Sequence, residues 1–300
     1  MKSVFPHFER LPVREPFRLD LTADALRRLA TNTVDVVSDE GAYYRAFETD
    51  TGVVAVRVTQ REPSILCVES SGPTEDVLAL VARMLGTEVD LSSWMRRAAS
   101  VPWLAPIARA LRGVKPPRHP SLWEACAHAI VFQQISIHAA ASIMRRVIGR
   151  IGKPVRVGGI ELVPFPSAAA LVRADDVQLR SAGLSTNKVA HLRAVARALE
   201  AGEVTGEEIE TLPTLQAADR LIQLRGIGPW SASVVLLRGF GRLDAFPLRD
   251  SGVARTAAML SGDPDVNLTE VLEQLGATRG MLYYHLLLGR LRNLTPARKD

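Results

Sequence analysis

An aspartate lying 22 residues beyond a Gly-Ile-Gly hairpin is the feature of this 300-residue chain whose chemistry is easiest to name. The stretch runs from Leu224 to Arg255, LRGIGPWSASVVLLRGFGRLDAFPLRDSGVAR. Gly226 and Gly228 flank one apolar residue, so the backbone can turn tightly and leave N–H groups uncovered. Pro229 suits the first position of the next helix, where its missing N–H costs nothing. Free N–H groups at a helix start can hold an anion, a phosphate above all. Asp250 has two readings here. It is a favoured N-cap for the helical SGVARTAAML segment. A carboxylate anchored at a helix start is also a fixed anion. Such an anion stabilises positive charge that develops beside it, and can orient or deprotonate a water. Cap and catalyst stand level on these residues alone, and the two roles are compatible. Asp244 is the rival carboxylate of the same loop.

Two segments together carry a resemblance: Leu224-Arg225-Gly226-Ile227-Gly228-Pro229-Trp230, and Asp244-Ala245-Phe246-Pro247-Leu248-Arg249-Asp250. A hairpin followed by a Gly/Pro-rich loop and an aspartate resembles the helix-hairpin-helix (HhH-GPD) DNA glycosylase superfamily, most closely its AlkA-type, DNA-3-methyladenine glycosylase II branch. The resemblance implies that Asp250 is the catalytic carboxylate and Asp244 an orienting loop residue. It implies that the backbone at Gly226 and Gly228 contacts DNA phosphate, with a monovalent cation on the hairpin carbonyls as the one implied ion. Other metals and organic cofactors are not expected. Trp230 is a core aromatic or a wall of the base pocket, where an aromatic face attracts a cationic alkylated purine. Bifunctional relatives place a lysine at this position to form a Schiff base. Lysine occurs in this chain only at 2, 115, 153, 188 and 299. A monofunctional enzyme using water is therefore expected, with double-stranded DNA bearing a damaged base as partner and alkylated purines as substrates. The alternatives are a glycosylase for oxidised or deaminated bases, and a non-catalytic damage-binding module.

Gln133 and Gln134, in Ile130-Val131-Phe132-Gln133-Gln134-Ile135-Ser136, resemble the family's Gln-containing turn. There a side chain fills the gap left by the flipped nucleotide, and Gln134 aligns best with that wedge. Lys188 fits a family pattern and is a further DNA-binding candidate. With Arg193 and Arg197 it also reads as a solvated basic face. Aromatic pocket positions of the family fall near Val234 and Ser251 here, so Tyr283 and Tyr284 are the candidate compensating substrate contacts, with Phe17 or Tyr43 behind them. His128, His138, His191 and His285 show no metal-ligand spacing.

These groups need a scaffold in two parts. Residues 1–112 read as an α+β unit, an antiparallel sheet with helices resembling half of a TATA-binding protein fold. Strands are expected at Pro16–Leu21, Val34–Val37, Tyr43–Glu48, Val53–Thr59 and Ile65–Glu69, with a turn at Thr51-Gly52. Thr22 is the expected cap of the first helix, and another helix spans Pro73–Leu85. Residues 113–120, with Pro116, Pro117 and Pro120, read as a linker. Residues 121–300 read as an all-α helix-hairpin-helix domain, with Ser121 and Ser136 as caps and a glycine-containing irregular stretch or short hairpin at Val155–Val163. The apolar content of 47% suffices for a core. A net charge of +5 is compatible with a polyanionic partner. Cys67 and Cys126 are too few for a disulfide framework or a four-cysteine cluster, which points to a reducing cytoplasm, with nucleoid DNA at hand. No signal peptide or membrane span is evident, and a monomer is the default expectation.

Overall fold

The computed structural model describes residues 4–49, 52–73 and 75–294. The expected turn residue Thr51 and the last six residues of the expected helical domain lie outside them. The chain opens with β1 (His7–Pro12), α1 (Leu19–Arg27), β2 (Val36–Val37), β3 (Tyr43–Thr49), β4 (Gly52–Glu62) and β5 (Ile65–Ser70). Helices α2 (Glu75–Leu85), α3 (Ser92–Ala99) and α4 (Leu104–Ala110) follow. The strands form one antiparallel sheet in the order β1-β5-β4-β3-β2. Val56, Val58, Leu66 and Val68 alternate onto the face covered by α1 and α2. Ala42, Tyr44, Ala46 and Ala55 face the other way, onto a small hairpin made of β6 (Val155–Val157) and β7 (Ile160–Leu162).

The remaining helices are α5 (Leu122–Phe132), α6 (Ile137–Ile151), α7 (Ala168–Arg173), α8 (Asp176–Ser181), α9 (Thr186–Glu200), α10 (Gly206–Thr211), α11 (Thr214–Ile222) and α12 (Pro229–Phe240). Then come α13 (Ser251–Ser261), α14 (Leu268–Leu275) and α15 (Gly280–Leu291). Ser121 and Ser136 cap α5 and α6 by accepting from the N–H groups of Glu124 and Ala139. One core gathers α5 to α12. A second combines Leu21 and Ala25 of α1 and the apolar faces of α3 and α4 with α13, α14 and α15. Residues from both sides of the expected linker thus share one core. The 113–120 segment itself is largely buried, with Lys115 and His119 each 1% exposed.

Two sequence expectations need correction. Pro16–Leu21 does not form a strand, since Leu19 already begins α1. Leu19, Ala23 and Leu26 face the sheet while Leu21 and Ala25 face the second core. A helix buried on two sides is apolar at both periods, so alternation misleads there. Thr22 lies inside α1, fully buried, its hydroxyl donating to the Arg18 carbonyl at 2.9 Å, and does not cap it. The unanticipated β1 is an edge strand exposed at five of six positions, which erases the alternation signal.

The sheet is pinned to the helices by charge as well as by packing. Arg45 of β3 donates to Asp35 at 2.6 Å and to Glu124 of α5 at 2.5 Å, all three nearly solvent-free. Burial pulls the Arg45 pKa down, but Asp35 and then Glu124 more than offset this, so it stays protonated. Removing one member of a buried pair strands the other charges. Arg45→Leu should lower unfolding stability by about 3–5 kcal/mol in urea titrations. Arg10→Ala, which loses only the exposed pair with Glu62, should cost at most about 1 kcal/mol. Equal losses would contradict this ranking.

Candidate active site

The hairpin is shaped by what touches it. Gly226 has φ +94°, and a Cβ there would collide with the His191 ring. It therefore must be glycine on both conformational and steric grounds. Gly228 differs: its φ is −96°, and a Cβ added there would meet nothing within 4 Å. It is the N-cap of α12, Pro229 follows at the helix start, and no side chain caps this end. The first-turn N–H groups of a 12-residue helix therefore face an open, uncapped end.

Asp250 sits at the start of α13 with both oxygens held. Oδ1 accepts from the N–H groups of Gly252 at 2.8 Å and Val253 at 3.1 Å. Oδ2 accepts from Trp230 Nε1–H at 3.0 Å. The cap reading is thus realised, and the same bonds fix the carboxylate against the hairpin helix. Arg249 takes φ 61° to deliver it. The loop behind is anchored by buried Ala245 and Phe246 and by Arg279, which donates to the Asp244 carbonyl at 2.7 Å. Asp244 therefore serves the loop through its backbone.

The glutamine turn is tied to the same place. Gln133 Nε2 donates to the Gly226 carbonyl at 2.9 Å and to Ser231 Oγ at 2.7 Å. Lys188 Nζ donates to the carbonyls of Val131 at 2.7 Å and Gln133 at 3.0 Å. Both residues are expected at DNA, and here their nitrogens donate to protein carbonyls and a hydroxyl. Gln133 braces the turn against the hairpin, and Lys188 ties the end of α5 to α9, where a helix C-terminus leaves carbonyls needing donors. Gln134 is the exposed member of the turn and holds φ 60°.

The tyrosines separate. Tyr284 is fully buried, its hydroxyl within reach of the Pro117 carbonyl at 3.1 Å and the Leu237 carbonyl at 3.2 Å. It is a core residue and not a substrate contact. Phe17 and Tyr43 are likewise buried at the sheet. Tyr283 is half-buried and its hydroxyl accepts from Arg28 Nη2 at 3.2 Å. Arg28 lies over Phe132, 4.4 Å from the ring centroid. Leu26, Arg28, Asn32, His128 and Phe132 line one opening. Sequence reasoning named neither Arg28 nor Phe132 as a site residue. Phe132 directly precedes the glutamine pair, whereas nothing local marks Arg28. A larger hollow, lined by Trp94, Met95, Arg109 and His285, includes neither the hairpin nor Asp250.

His119, Glu124 and His128 approach one another within 4.8 Å, a grouping their spacing does not announce. Burial first, then nearby positive charges, pushes both histidines well below their usual range, so they are neutral. Glu124 is already paired with Arg45. The cluster belongs to the ion-pair network under the sheet.

Residues 127–278 match the model of the HhH-GPD superfamily base excision DNA repair proteins, just over half of the chain. The chain belongs to that family. It is 30% identical over 264 residues to a Mycobacterium tuberculosis protein named probable bifunctional transcriptional activator/DNA repair enzyme AlkA, covering 85% of this chain and 51% of that one. A 3-methyladenine DNA glycosylase from Archaeoglobus fulgidus superposes with a TM-score of 0.79 at 25% identity, covering 94% and 98% of the two chains. An 8-oxoguanine glycosylase/lyase from Clostridium acetobutylicum, solved with double-stranded DNA, has a TM-score of 0.74 at 18% identity over 97% and 100%. That likeness shows the shared HhH-GPD fold. The chain spans 61% and 51% of the first two curated relatives it matches. No helix among the described residues is long and apolar enough to cross a membrane.

The two hairpin glycines should respond differently to alanine. Gly226→Ala should lose about 1–2 kcal/mol from its backbone conformation alone, and more from the His191 contact. Gly228→Ala should fold as wild type. Thermal melting of the two variants checks this, and equal melting temperatures would contradict it.

Proposed function

We propose that the protein is a monofunctional DNA glycosylase that flips an alkylated purine, such as 3-methyladenine or 7-methylguanine, out of duplex DNA and hydrolyses its bond to deoxyribose. The observation that carries the reading is the Asp250 carboxylate, fixed by two backbone N–H groups and by Trp230 beside an uncapped Gly-Ile-Gly hairpin. The α12 N-terminus and hairpin backbone, with a monovalent cation on the hairpin carbonyls, would take a DNA phosphate, which gives register rather than base choice. Gln134, exposed at the turn, would fill the vacated stack. The base would enter beside Trp230, Phe132 and Tyr283. A cationic alkylated purine is drawn to aromatic faces and leaves as a neutral molecule, so no dedicated acid is required.

Asp250 would stabilise the oxocarbenium-like sugar electrostatically. Each carboxylate oxygen has about two acceptor positions. Oδ2 spends one on Trp230 and keeps one for the attacking water. The position that would need an amine for Schiff-base chemistry holds Trp230. This favours hydrolysis to an abasic site over strand cleavage. The name of the Archaeoglobus relative, a 3-methyladenine DNA glycosylase, supports the alkylpurine class. In this reading residues 1–112 buttress the site, 113–120 strap the units together, and 121–300 bind DNA. The enzyme would act as a monomer on nucleoid DNA in a reducing cytoplasm.

Asp250→Asn is the deciding variant, because asparagine caps a helix about as well as aspartate. Release of methylated purines from duplex DNA should fall by roughly 10²–10⁴-fold while duplex binding persists. Unchanged release would remove Asp250 from the chemistry. Tight binding with no release by either protein would favour a damage-sensing module.

A further inference from the structure

Two helices and the hairpin meet at one side chain. Gln133 ends α5, and its Nε2 donates to the Gly226 carbonyl at 2.9 Å and to Ser231 Oγ at 2.7 Å. A carbonyl only accepts, so Gly226 must face the amide NH2 and fixes which way the amide points. Both amide hydrogens are thereby used. Gly226 is the left-handed residue of the hairpin, with φ +94°. Ser231 is buried in the first turn of α12, directly after Trp230, whose indole holds Asp250. The backbone of Gln133 is held as well. Its carbonyl accepts from Lys188 Nζ of α9 at 3.0 Å, and the next residue, exposed Gln134, stands at φ 60°. An L side chain keeps that conformation only where its surroundings impose it. Contacts therefore run unbroken from the turn that presents Gln134, through Gln133 and Ser231, to Trp230 and Asp250.

We propose that Gln133 is a positioning residue that holds the wedge at Gln134 in register with the hairpin and Asp250. The inference rests on the glycosylase reading above. A flipped nucleotide is fixed at two points, the side chain that takes its place in the stack and the carboxylate beside its sugar. Unpairing and unstacking cost energy, so the nucleotide swings back unless the gap stays filled. The sugar reacts only while it lies at the carboxylate, and a misplacement of about 1 Å can cost roughly 10²-fold in rate. The wedge belongs to the turn after α5 and the carboxylate to the start of α13, so neither element alone sets their separation. Gln133 sets it by clamping the turn to the hairpin backbone and to α12, which carries Trp230. Its amide donors are spent on protein, so it acts through Gln134 rather than on the base or the sugar.

The test follows two signals on a duplex carrying one N7-methylguanine. One is the fluorescence of a 2-aminopurine placed beside the lesion, which rises as the stack opens. The other is single-turnover release of the methylated base. Gln133→Met keeps the side-chain length and removes both donors. It should lower release from the paired duplex by roughly 10²-fold and shrink the fluorescence change. Duplex affinity should hold, because phosphate contacts carry it. The loss of release should vanish when the lesion sits in an unpaired bubble, where no stack needs a wedge. Gln134→Ala should behave alike, and the double variant should be no worse than the poorer single one. A Gln133→Met loss that persists in the bubble, or that adds to the loss of Gln134→Ala, would reduce Gln133 to a brace of the fold and overturn the proposal. So would unchanged release from the paired duplex. If Gln133→Met fails to fold by thermal melting, Ser231→Ala decides, because it removes one of the two partners. It should give a smaller loss that the bubble again rescues, and an equal loss on both substrates would overturn the proposal. A wild type that opens the stack and releases no base would defeat the glycosylase reading alone. The fluorescence would then decide, a smaller change in Gln133→Met supporting this inference and an unchanged one overturning it.

Discussion

The site depends on one carboxylate shared between two helices. Asp250 closes the first turn of α13 with one oxygen and takes the indole N–H of Trp230, from the first turn of α12, with the other. A cap interaction alone contributes about 0.5–2 kcal/mol. Adding a charge-assisted bond to a rigid aromatic fixes the anion's position as well as its existence. Everything upstream serves this placement. The hairpin sets where α12 begins, His191 leaves room only for glycine at 226, and Gln133 clamps the hairpin from the end of α5.

The arginines explain a second property. A net charge of +5 invites the picture of a basic surface laid on DNA. Part of that charge is instead directed onto helix C-termini. Arg238 holds the end of α1, Arg242 donates to the carbonyls of Ile209, Glu210 and Leu212 around the end of α10, and Arg146 donates to the Ala182 carbonyl after α8. Arg193, which reads as part of a solvated basic face, donates to the Ala174 carbonyl after α7 and pairs with Asp176. Guanidinium groups supply several donors in a fixed fork and suit the unpaired carbonyls and negative dipole of a helix end. The architecture of short helices therefore uses arginine as connective tissue, and less of the charge remains for phosphate.

Local chemistry was legible in the sequence and tertiary commitments were not. The hairpin, the caps at Ser121, Ser136 and Asp250, and most helices follow from glycine, proline, serine and periodicity, all of which act within a few residues. The Val155–Val163 stretch resolves into the hairpin of β6 and β7. What neighbours decide is not written locally. Lys188 and Gln133 look like surface polar residues until the carbonyls they meet are known. Tyr283 and Tyr284 are adjacent in sequence, yet a helix turns successive residues by about 100°, so one stays half-buried and accepts a hydrogen bond from Arg28 while the other enters the core. Arg28 lies 255 positions from Tyr283, its hydrogen-bond partner. α7 and α10, of six residues each, are too short to show a period.

The central claim is that Asp250 presents a fixed negative charge to a sugar that becomes positive. The most direct measurement is affinity for duplex DNA carrying a cationic aza-sugar in place of the reacting nucleotide, against the same duplex with a neutral abasic analogue. Wild type should prefer the cation by about 10²-fold or more, and Asp250→Asn should lose that preference while binding the neutral duplex equally well. The same preference in both proteins would place the stabilising charge elsewhere and contradict the assignment.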